Sequence, residues 1–442
     1  MSRVKTGLII LLTGLAIYLT SQLWFANSSS RNFFYTFFTR TEPRDATDDR
    51  IFVWPYRLIT NYGNNVFSIL YTGMRVNKVR ESCDGIIAAT LKEGEHLETR
   101  EVNYAEIFGA PGYIYEYAFD IPTAVFALAF GKSGFADKLE YVTSVVLLPP
   151  DARRSVTIVW LLDEKNMLMS GYSVKNALPP VLSLDEFYQE ILYESSALSS
   201  YEDLSDKNTF IAKRMDNGYS YPAVAVVNPY AEGELLRGAI EQHINVFFEN
   251  PAAKLFFMGD NTVYTFVDAT TVVKYFQNDV LEYSNYRAGS GETSLLKSFG
   301  AALGFIMSDP LVNNEYYLAD YEEREDGYIF YFDYVINNFP VVLPDEYKRS
   351  DAAAMKHTLE VTIRDGNVAD YKKLVYNFIM DEAHKTADLD FEGSLAEVSS
   401  AQEANPEKFT DIMLGYKLER SKKAYLYWIM WWPDGQSLSK IG

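Results

Sequence analysis

The sequence contains very little cysteine and histidine. Among 442 residues there is one cysteine, Cys83, and there are four histidines. A single cysteine excludes an intramolecular disulfide and any cysteine-rich zinc or iron–sulfur site. So few histidines leave little scope for histidine-based metal chemistry. The sequence therefore predicts no metal site and no cofactor.

Basic residues are also scarce relative to acidic ones. The chain has 40 lysines and arginines against 60 aspartates and glutamates, a formal net charge of −20. Such a surface repels phosphate backbones, and no basic stripe offsets it, so nucleic-acid binding is excluded. Hydrophobic residues make up 48% of the chain and aromatic residues 15%, which excludes a disordered chain. At about 150 residues per domain, the length indicates about three domains.

One long hydrophobic run stands near the N-terminus. Gly7–Phe25 has 19 residues without a charge, and a helix of that length spans about 28 Å, close to a bilayer core. Arg3 and Lys5 precede the run, and Trp24 stands where interfacial aromatics gather. A cleaved signal peptide is the alternative, but cleavage after Ala26 would place bulky Trp24 where a small residue is needed. The sequence predicts an uncleaved signal anchor.

The positive charges before the run predict the topology. Residues 1–6 are expected in the cytoplasm, 7–25 in the membrane, and 26–50 as a juxtamembrane segment, with the remaining chain outside the cell membrane. Within the run, glycine and serine, and likewise threonine, recur every seven residues, a spacing that lets a second helix approach closely. An inert anchor with chance spacing is the alternative. The predicted helix-packing residues are Gly7, Thr13, Gly14, Ser21 and Gln22.

The remaining chain is predicted to be an α+β ectodomain of mainly antiparallel sheets with packed helices. Short charged turns join its strand-like runs, whereas parallel strands would need helical crossovers. Amphipathic helices are predicted over Glu234–Asn250 and Ser294–Met307. The predicted domains are 51–230, 231–345 and 346–442. Strands are predicted in the first domain at Gly112–Ile121, Thr123–Phe130, Thr143–Leu148 and Ser155–Leu162.

A weak internal repeat indicates that the last two domains are related. Tyr328–Pro340 resembles Ser421–Pro433 at an offset of 93 residues. A charged turn, a strand and a helix precede each segment, so two copies of one strand–helix–hairpin unit are predicted. The matched pairs are Phe332 with Tyr425, Tyr334 with Tyr427, Ile336 with Ile429, Phe339 with Trp432, and Pro340 with Pro433.

No catalytic motif emerges. Ser294 and Lys297 fit the Ser-x-x-Lys spacing of serine acyl-enzymes. Ser437 and Lys440 fit it equally well in a C-terminus that lacks a regular pattern. We interpret Ser294 as a helix cap with a surface lysine beyond it. His243 lies on the apolar side of its helix and is predicted to be a buried, hydrogen-bonded core residue. No catalytic, cofactor-binding or metal-binding residue is assigned.

Three segments resemble the YycH family of Gram-positive accessory regulators. They are Val53-Trp54-Pro55, Thr265–Tyr283 and Trp432-Pro433-Asp434-Gly435, and the order of anchor, acidic ectodomain and paired C-terminal units is similar. The resemblance implies a non-enzymatic regulator of a cell-wall sensor histidine kinase. It also implies a YycI-like paralogue as a partner, with action through membrane-helix packing and ectodomain contacts. The alternatives are an extracytoplasmic cell-envelope enzyme and a module that binds wall polymer or peptide.

Overall fold

The computed structural model describes residues 55–440 apart from several gaps. The predicted anchor and juxtamembrane segment lie outside the described residues. Within the part of the chain that the structure describes, no helix has both the length and the apolar character needed to span a membrane. The gaps are 72–77, 131, 133–137, 152–154, 176–191, 196–208, 214–217, 231–234, 259–262, 288–293, 313–314, 338, 345–346, 348–352, 388, 402–408, 410, 420–422 and 433–434.

The described helices pack on two sheets in an α+β arrangement, as predicted. Phe299 of the fifth helix, for example, packs on Phe330 and Phe332 of a strand below it, with ring centroids 5.2 and 6.2 Å apart. The helices are α1 (Lys78–Glu93), α2 (Tyr104–Phe108), α3 (Thr123–Ala129), α4 (Leu235–Ile244), α5 (Leu295–Ser308) and α6 (Phe391–Ala401).

Within the described residues, the first sheet has nine strands in the order β3-β7-β6-β5-β4-β1-β2-β8-β9, and every adjacent pair is antiparallel. The strands are β1 (Arg57–Gly63), β2 (Val66–Tyr71), β3 (Glu95–Glu101), β4 (Gly112–Pro122), β5 (Tyr141–Leu148), β6 (Thr157–Asp163), β7 (Leu168–Val174), β8 (Tyr193–Ser195) and β9 (Phe210–Ala212).

The second sheet, as far as the chain is described, has fourteen strands and is antiparallel except where β17 runs parallel to β21. Its order is β11-β12-β13-β14-β19-β18-β16-β17-β21-β22-β10-β20, with β15 on β16 and β23 on β22. The strands are β10 (Tyr219–Val227), β11 (Leu255–Met258), β12 (Val263–Val267), β13 (Thr271–Phe276), β14 (Val280–Asn285), β15 (Glu315–Arg324), β16 (Gly327–Ile336), β17 (Phe339–Val342), β18 (Leu359–Arg364), β19 (Asn367–Leu374), β20 (Asn377–Ala387), β21 (Asp411–Glu419), β22 (Lys423–Trp432) and β23 (Gly435–Lys440).

The segment that follows β4 corrects one prediction. Thr123–Phe130 was expected to be a strand, but Thr123–Ala129 forms α3. A short apolar run fits a strand and a buried helix equally well. Here Thr123, Phe126 and Ala127 are buried, and their spacing of three and four residues places them on one face of a helix. Tertiary burial therefore decides the conformation.

Strand pairing in the second sheet crosses the predicted domain boundaries. β18 and β19 belong to the range 346–442, yet they pair with β16 and β14 of the range 231–345. β10, from the range 51–230, pairs with β20 and β22. Two similar four-stranded arrangements result, β19-β18-β16-β15 and β20-β10-β22-β21. The strands of one arrangement lie between β10 and β20 of the other in the sequence. The division into three domains stays a prediction.

The repeat alignment at an offset of 93 has the wrong strand register. Phe332 faces α5, whereas its match Tyr425 lies on the opposite face from Trp428, which contacts Phe391 of α6. The two hairpins instead correspond at an offset of 96, because Gly327 and Lys423 begin the second strand of each. The two alignments differ by three residues, and a register shift by an odd number of residues exchanges the two faces of a strand. Both faces of these strands are rich in aromatic residues, so the sequence match did not reveal the error.

The C-terminus also differs from expectation. Ser437 and Lys440 lie in β23, which pairs antiparallel with β22 over six residue pairs. Backbone hydrogen bonds to β22 make this segment a strand, although its own sequence pattern does not predict one.

Candidate functional site

A buried carboxylate, Asp309, lies at the C-terminal end of α5 and is bound by three side chains from other elements. The Nζ atom of Lys373 lies 2.6 Å from Oδ2, and the hydroxyl of Tyr371 donates to the same oxygen at 3.0 Å. His243 Nε2 lies 2.7 Å from Oδ1. The backbone N–H of Leu311 also donates to Oδ1, at 2.9 Å. Both carboxylate oxygens therefore accept more than one hydrogen bond.

The strand and helix periods place these partners together. Tyr371 and Lys373 are two residues apart on β19, so both face the helices. His243 lies on the buried side of α4, and its Nδ1 atom is hydrogen-bonded to the hydroxyl of Tyr230. The prediction that His243 is a buried, hydrogen-bonded core residue is confirmed. What the sequence did not reveal is that its partner is a charged group.

The electrostatics of the centre favour an ionised Asp309. Burial alone would raise the pKa of Asp309, but Lys373 and His243 outweigh burial and hold it well below its usual range. Burial lowers the pKa of Lys373, and the attraction of the carboxylate offsets only part of that change. The lowered pKa of Asp309 favours an ion pair, whereas the lowered pKa of Lys373 opposes it. The hydrogen-bond donors around Asp309 stabilise its ionised form, so we assign an ion pair. Burial likewise lowers the pKa of His243, which suits a neutral ring between Tyr230 and Asp309.

A second carboxylate, Asp279, lies in the turn between β13 and β14. The hydroxyl of Tyr275 donates to Oδ1 at 2.6 Å, and that of Tyr376 donates to Oδ2 at 2.8 Å. Asn228, just after β10, donates its amide to Oδ1. Burial raises the pKa of the Tyr275 and Tyr376 hydroxyls, so both remain protonated donors. This carboxylate therefore fastens the turn to β10 and to the end of β19.

The two carboxylate centres are neighbours. Tyr230 contacts His243 of the first centre, and its ring packs edge-on against Tyr275 of the second with centroids 5.2 Å apart. Together they connect the end of β10, the β13–β14 turn, α4, the end of α5 and β19. We call this set the tyrosine–carboxylate network.

The chemistry open to the network follows from its burial. Lys373 is 0% exposed, Asp309 3% and His243 5%. A reactant cannot reach these groups unless the surrounding elements separate. Removing one charge of such a pair is costly, whereas the intact pair fixes the positions of the groups that carry it. The arrangement is suited to holding distant elements in one geometry.

The other residues singled out in the sequence have structural positions. Ser294 caps α5, since its hydroxyl accepts the backbone N–H of Lys297 at 3.3 Å, and Lys297 is exposed, as predicted. Among the described residues, no group of three or more His, Cys, Asp or Glu side chains is arranged to hold a metal ion. The predicted helix-packing residues Gly7, Thr13, Gly14, Ser21 and Gln22 lie outside the described residues.

Comparison with known proteins identifies the fold. No family model matches the sequence, and a search of curated proteins finds no match. The structure is similar to the crystal structure of YycH from Bacillus subtilis, with a TM-score of 0.53 and 11% sequence identity. The similarity covers 87% of this chain and 95% of that chain. The chain has a YycH-like fold. At this identity the similarity establishes the fold alone.

Sequence reasoning missed most of the network inside this YycH-like fold. One signal was present: Ala369, Tyr371 and Lys373 alternate with polar residues along β19 and share a face. A lysine on the apolar face of a strand is rarely fully buried without a partner. The pattern therefore indicates a buried acid somewhere in the chain. It does not indicate that the acid is Asp309, because 60 carboxylates are available.

Proposed function

We propose that this protein is a membrane-anchored, non-enzymatic regulator of a sensor histidine kinase that controls cell-wall metabolism. Its anchor, residues 7–25, would pack against membrane helices of the kinase and of a YycI-like paralogue. Its ectodomain would contact the extracytoplasmic parts of the same partners. The N-terminus would lie in the cytoplasm and the remaining chain outside the cell membrane.

The observation that carries this proposal is the YycH-like fold over 87% of the chain. The sequence supports it independently through the uncharged run Gly7–Phe25 and the two preceding basic residues, Arg3 and Lys5. The tyrosine–carboxylate network is consistent with a role that depends on shape. Its charged groups are buried and mutually paired, so they fix elements relative to one another.

A rigid ectodomain is useful to such a regulator because contact surfaces must keep a fixed geometry. β19 is fastened through Lys373 to α5 and through the adjacent Tyr376 to the β13–β14 turn. A force or a contact at one end of the second sheet would then displace these elements together. In this proposal, movement of the ectodomain is passed to the anchor without chemistry.

The test is affinity purification of the intact chain from membranes of its own organism after brief chemical crosslinking. We expect a sensor histidine kinase and a YycI-like chain among the crosslinked proteins. The matched control carries an unrelated membrane helix in place of residues 1–25, and we expect it to recover less of both partners. Recovery of neither partner by the intact chain would contradict the proposal. Retention of a wall polymer or peptide instead would favour the binding-module alternative.

A further inference from the structure

β11 forms one edge of the second sheet, and its exposed surface is apolar. The order of described strands ends at β11, so one side of its backbone pairs with β12 and the other does not pair with any described strand. Leu255 is 61% exposed, Phe257 54% and Met258 71%. Proteins normally protect such an edge with charged residues, proline or a bulge. The four-residue strand LFFM has none of these.

The edge of the first sheet provides an internal comparison. β3 is exposed along most of its length, and its sequence, EHLETRE, contains three glutamates and an arginine. Like charges facing each other across a strand pair are destabilising, so β3 is protected against pairing with another strand. Of these two edges, β3 is protected by its charged residues and β11 is not.

The side chains of β11 alternate between two environments. Phe256 faces the helices, where Arg237 of α4 lies 3.8 Å from its ring centroid and Phe266 packs beside it. Leu255 and Phe257 therefore point to the opposite face of the sheet. On that face Leu255 lies next to Val267, and Val267 lies next to Val272. Apolar side chains on this face thus continue across three strands, exposed at Leu255 and half-buried at Val267 and Val272.

We propose that β11 pairs antiparallel with β11 of a second copy of this chain, about a two-fold axis that passes between the two Phe256 residues. Antiparallel partners directly opposite each other share a sheet face. A register with Phe256 opposite Phe256 places Leu255 of each copy opposite Phe257 of the other, so these exposed apolar side chains of the two copies lie side by side on one face of the joined sheet. The strand is self-complementary in this register, as a two-fold interface requires.

Local charge favours a second copy at this edge. The whole chain carries −20, so two copies repel each other over most of their surfaces. Near β11, several described acidic residues are paired with basic ones. Lys254 lies 3.1 Å from Glu241, Lys274 lies 3.3 Å from Glu282, and Arg287 lies 3.8 Å from Glu249. Pairing of these three glutamates lowers the repulsion that a second copy would meet at this edge.

The interface is small, and this sets the conditions of the test. Specific interfaces usually bury more than about 1,000 Å² in total, and a four-residue strand supplies only part of that area. We therefore expect weak association in dilute solution. Confinement of both copies to one membrane raises their effective concentration, and there the pair should form.

The experiment uses two full-length variants, Leu255→Cys and Phe257→Cys, which carry distinguishable tags and are reconstituted together in phosphatidylcholine vesicles. Opposite positions lie within disulfide reach, whereas diagonal positions lie beyond it. Mild oxidation should therefore yield the mixed disulfide several-fold in excess of either like-with-like disulfide. The native Cys83 is 0% exposed, and burial raises the pKa of its thiol to about 12, so it should not react.

The matched control is Leu97→Cys on β3, an edge position that is 46% exposed. It should form no more disulfide than random collision produces. Mixed and like-with-like disulfides in the statistical proportions that random collision gives, or a yield no higher than that of the control, would overturn the proposal. The test depends on the membrane anchor of the proposed function, which co-flotation of the wild-type chain with the vesicles checks separately. None of the disulfide outcomes bears on regulation of a kinase, so the two proposals can fail separately.

Discussion

The ammonium group of Lys373 lies 2.6 Å from a carboxylate oxygen of Asp309, and the two residues are 64 positions apart in the sequence. Asp309 ends α5, and Lys373 lies on β19. Since both side chains are buried, neither charge can be solvated by water if its partner is removed. The pair therefore fixes the position of the end of α5 on the second sheet.

The first prediction concerns this pair. Asp309→Ala should lower the free energy of unfolding by about 3–5 kcal/mol, because it leaves the Lys373 ammonium buried without a counter-charge. Urea denaturation of the detergent-solubilised chain, followed by tryptophan fluorescence, measures the change. The double variant Asp309→Leu, Lys373→Met should lose less than the single variant, since both charges are then gone. A single variant as stable as the wild type would show that the pair does not fasten α5.

The second prediction is a pH dependence of opposite sign at two histidines. Burial lowers the pKa of His243, and its hydrogen bond to Asp309 offsets only part of this. The folded chain thus binds a proton less readily than the unfolded chain. The contribution of His243 to stability is complete above its unfolded pKa of about 6.5 and is lost as the pH falls below that value. His243→Gln should therefore flatten the decrease in unfolding free energy between about pH 7 and pH 5.

His357 behaves in the opposite way. Burial alone would lower its pKa, but the charge and hydrogen bond of Asp333, 2.8 Å away, raise it. Its contribution is complete below the unfolded pKa of about 6.5 and is lost as the pH rises through the higher folded pKa. His357→Gln should destabilise the chain most on the acid side. Identical pH profiles for the two variants would contradict the assigned environments.

The third prediction concerns topology. A cysteine at Asn367, an exposed position after the β18–β19 turn, should react with a membrane-impermeant maleimide added to intact cells. Gly366 is unsuitable because its φ of +71° would strain a cysteine. The wild-type chain is the control, and its buried Cys83 should remain unlabelled. Labelling that requires cell lysis would contradict the predicted orientation, and a mature chain beginning near Asn27 would contradict the uncleaved anchor.

The fourth prediction tests the anchor as a packing element. Gly14→Leu should reduce co-purification of the kinase and the paralogue, because the added side chain forces two closely packed helices apart. Loss of an interhelical hydrogen bond in lipid costs about 0.6–2 kcal/mol. Leu11→Ile is the control and should have little effect, since lipid accepts either residue. Equal co-purification of partners by the two variants would show that the helix is only a tether.

Several features were predictable because they depend on neighbouring residues. Ser294 caps α5 through the backbone N–H of Lys297, three residues away, and the period of the following apolar residues predicts the helix. The short apolar runs Leu255–Met258 and Val263–Val267 pair antiparallel as β11 and β12, in line with the predicted antiparallel sheets. The antiparallel character of the sheets followed from short charged connections.

Other features required contacts between distant residues. Thr123–Ala129 is helical because Phe126 and Ala127 are buried on one face, and the short apolar run alone does not determine that face. The repeat register was wrong by three residues because aromatic residues occupy both faces of β16 and β22. Only the partners α5 and α6 show which face of each strand is internal.

The sequence by itself determined the charge of the chain, its uncharged N-terminal run, its α+β class and several of its helix and turn positions, because each follows from composition or from interactions within a few residues. Only the tertiary structure decided that β10 inserts between β20 and β22, and that Tyr230, His243, Asp309 and Lys373 meet in one buried centre. A buried charge is tolerated only with a partner, and any of many residues can supply it. The fold selects that partner by bringing it within hydrogen-bond distance.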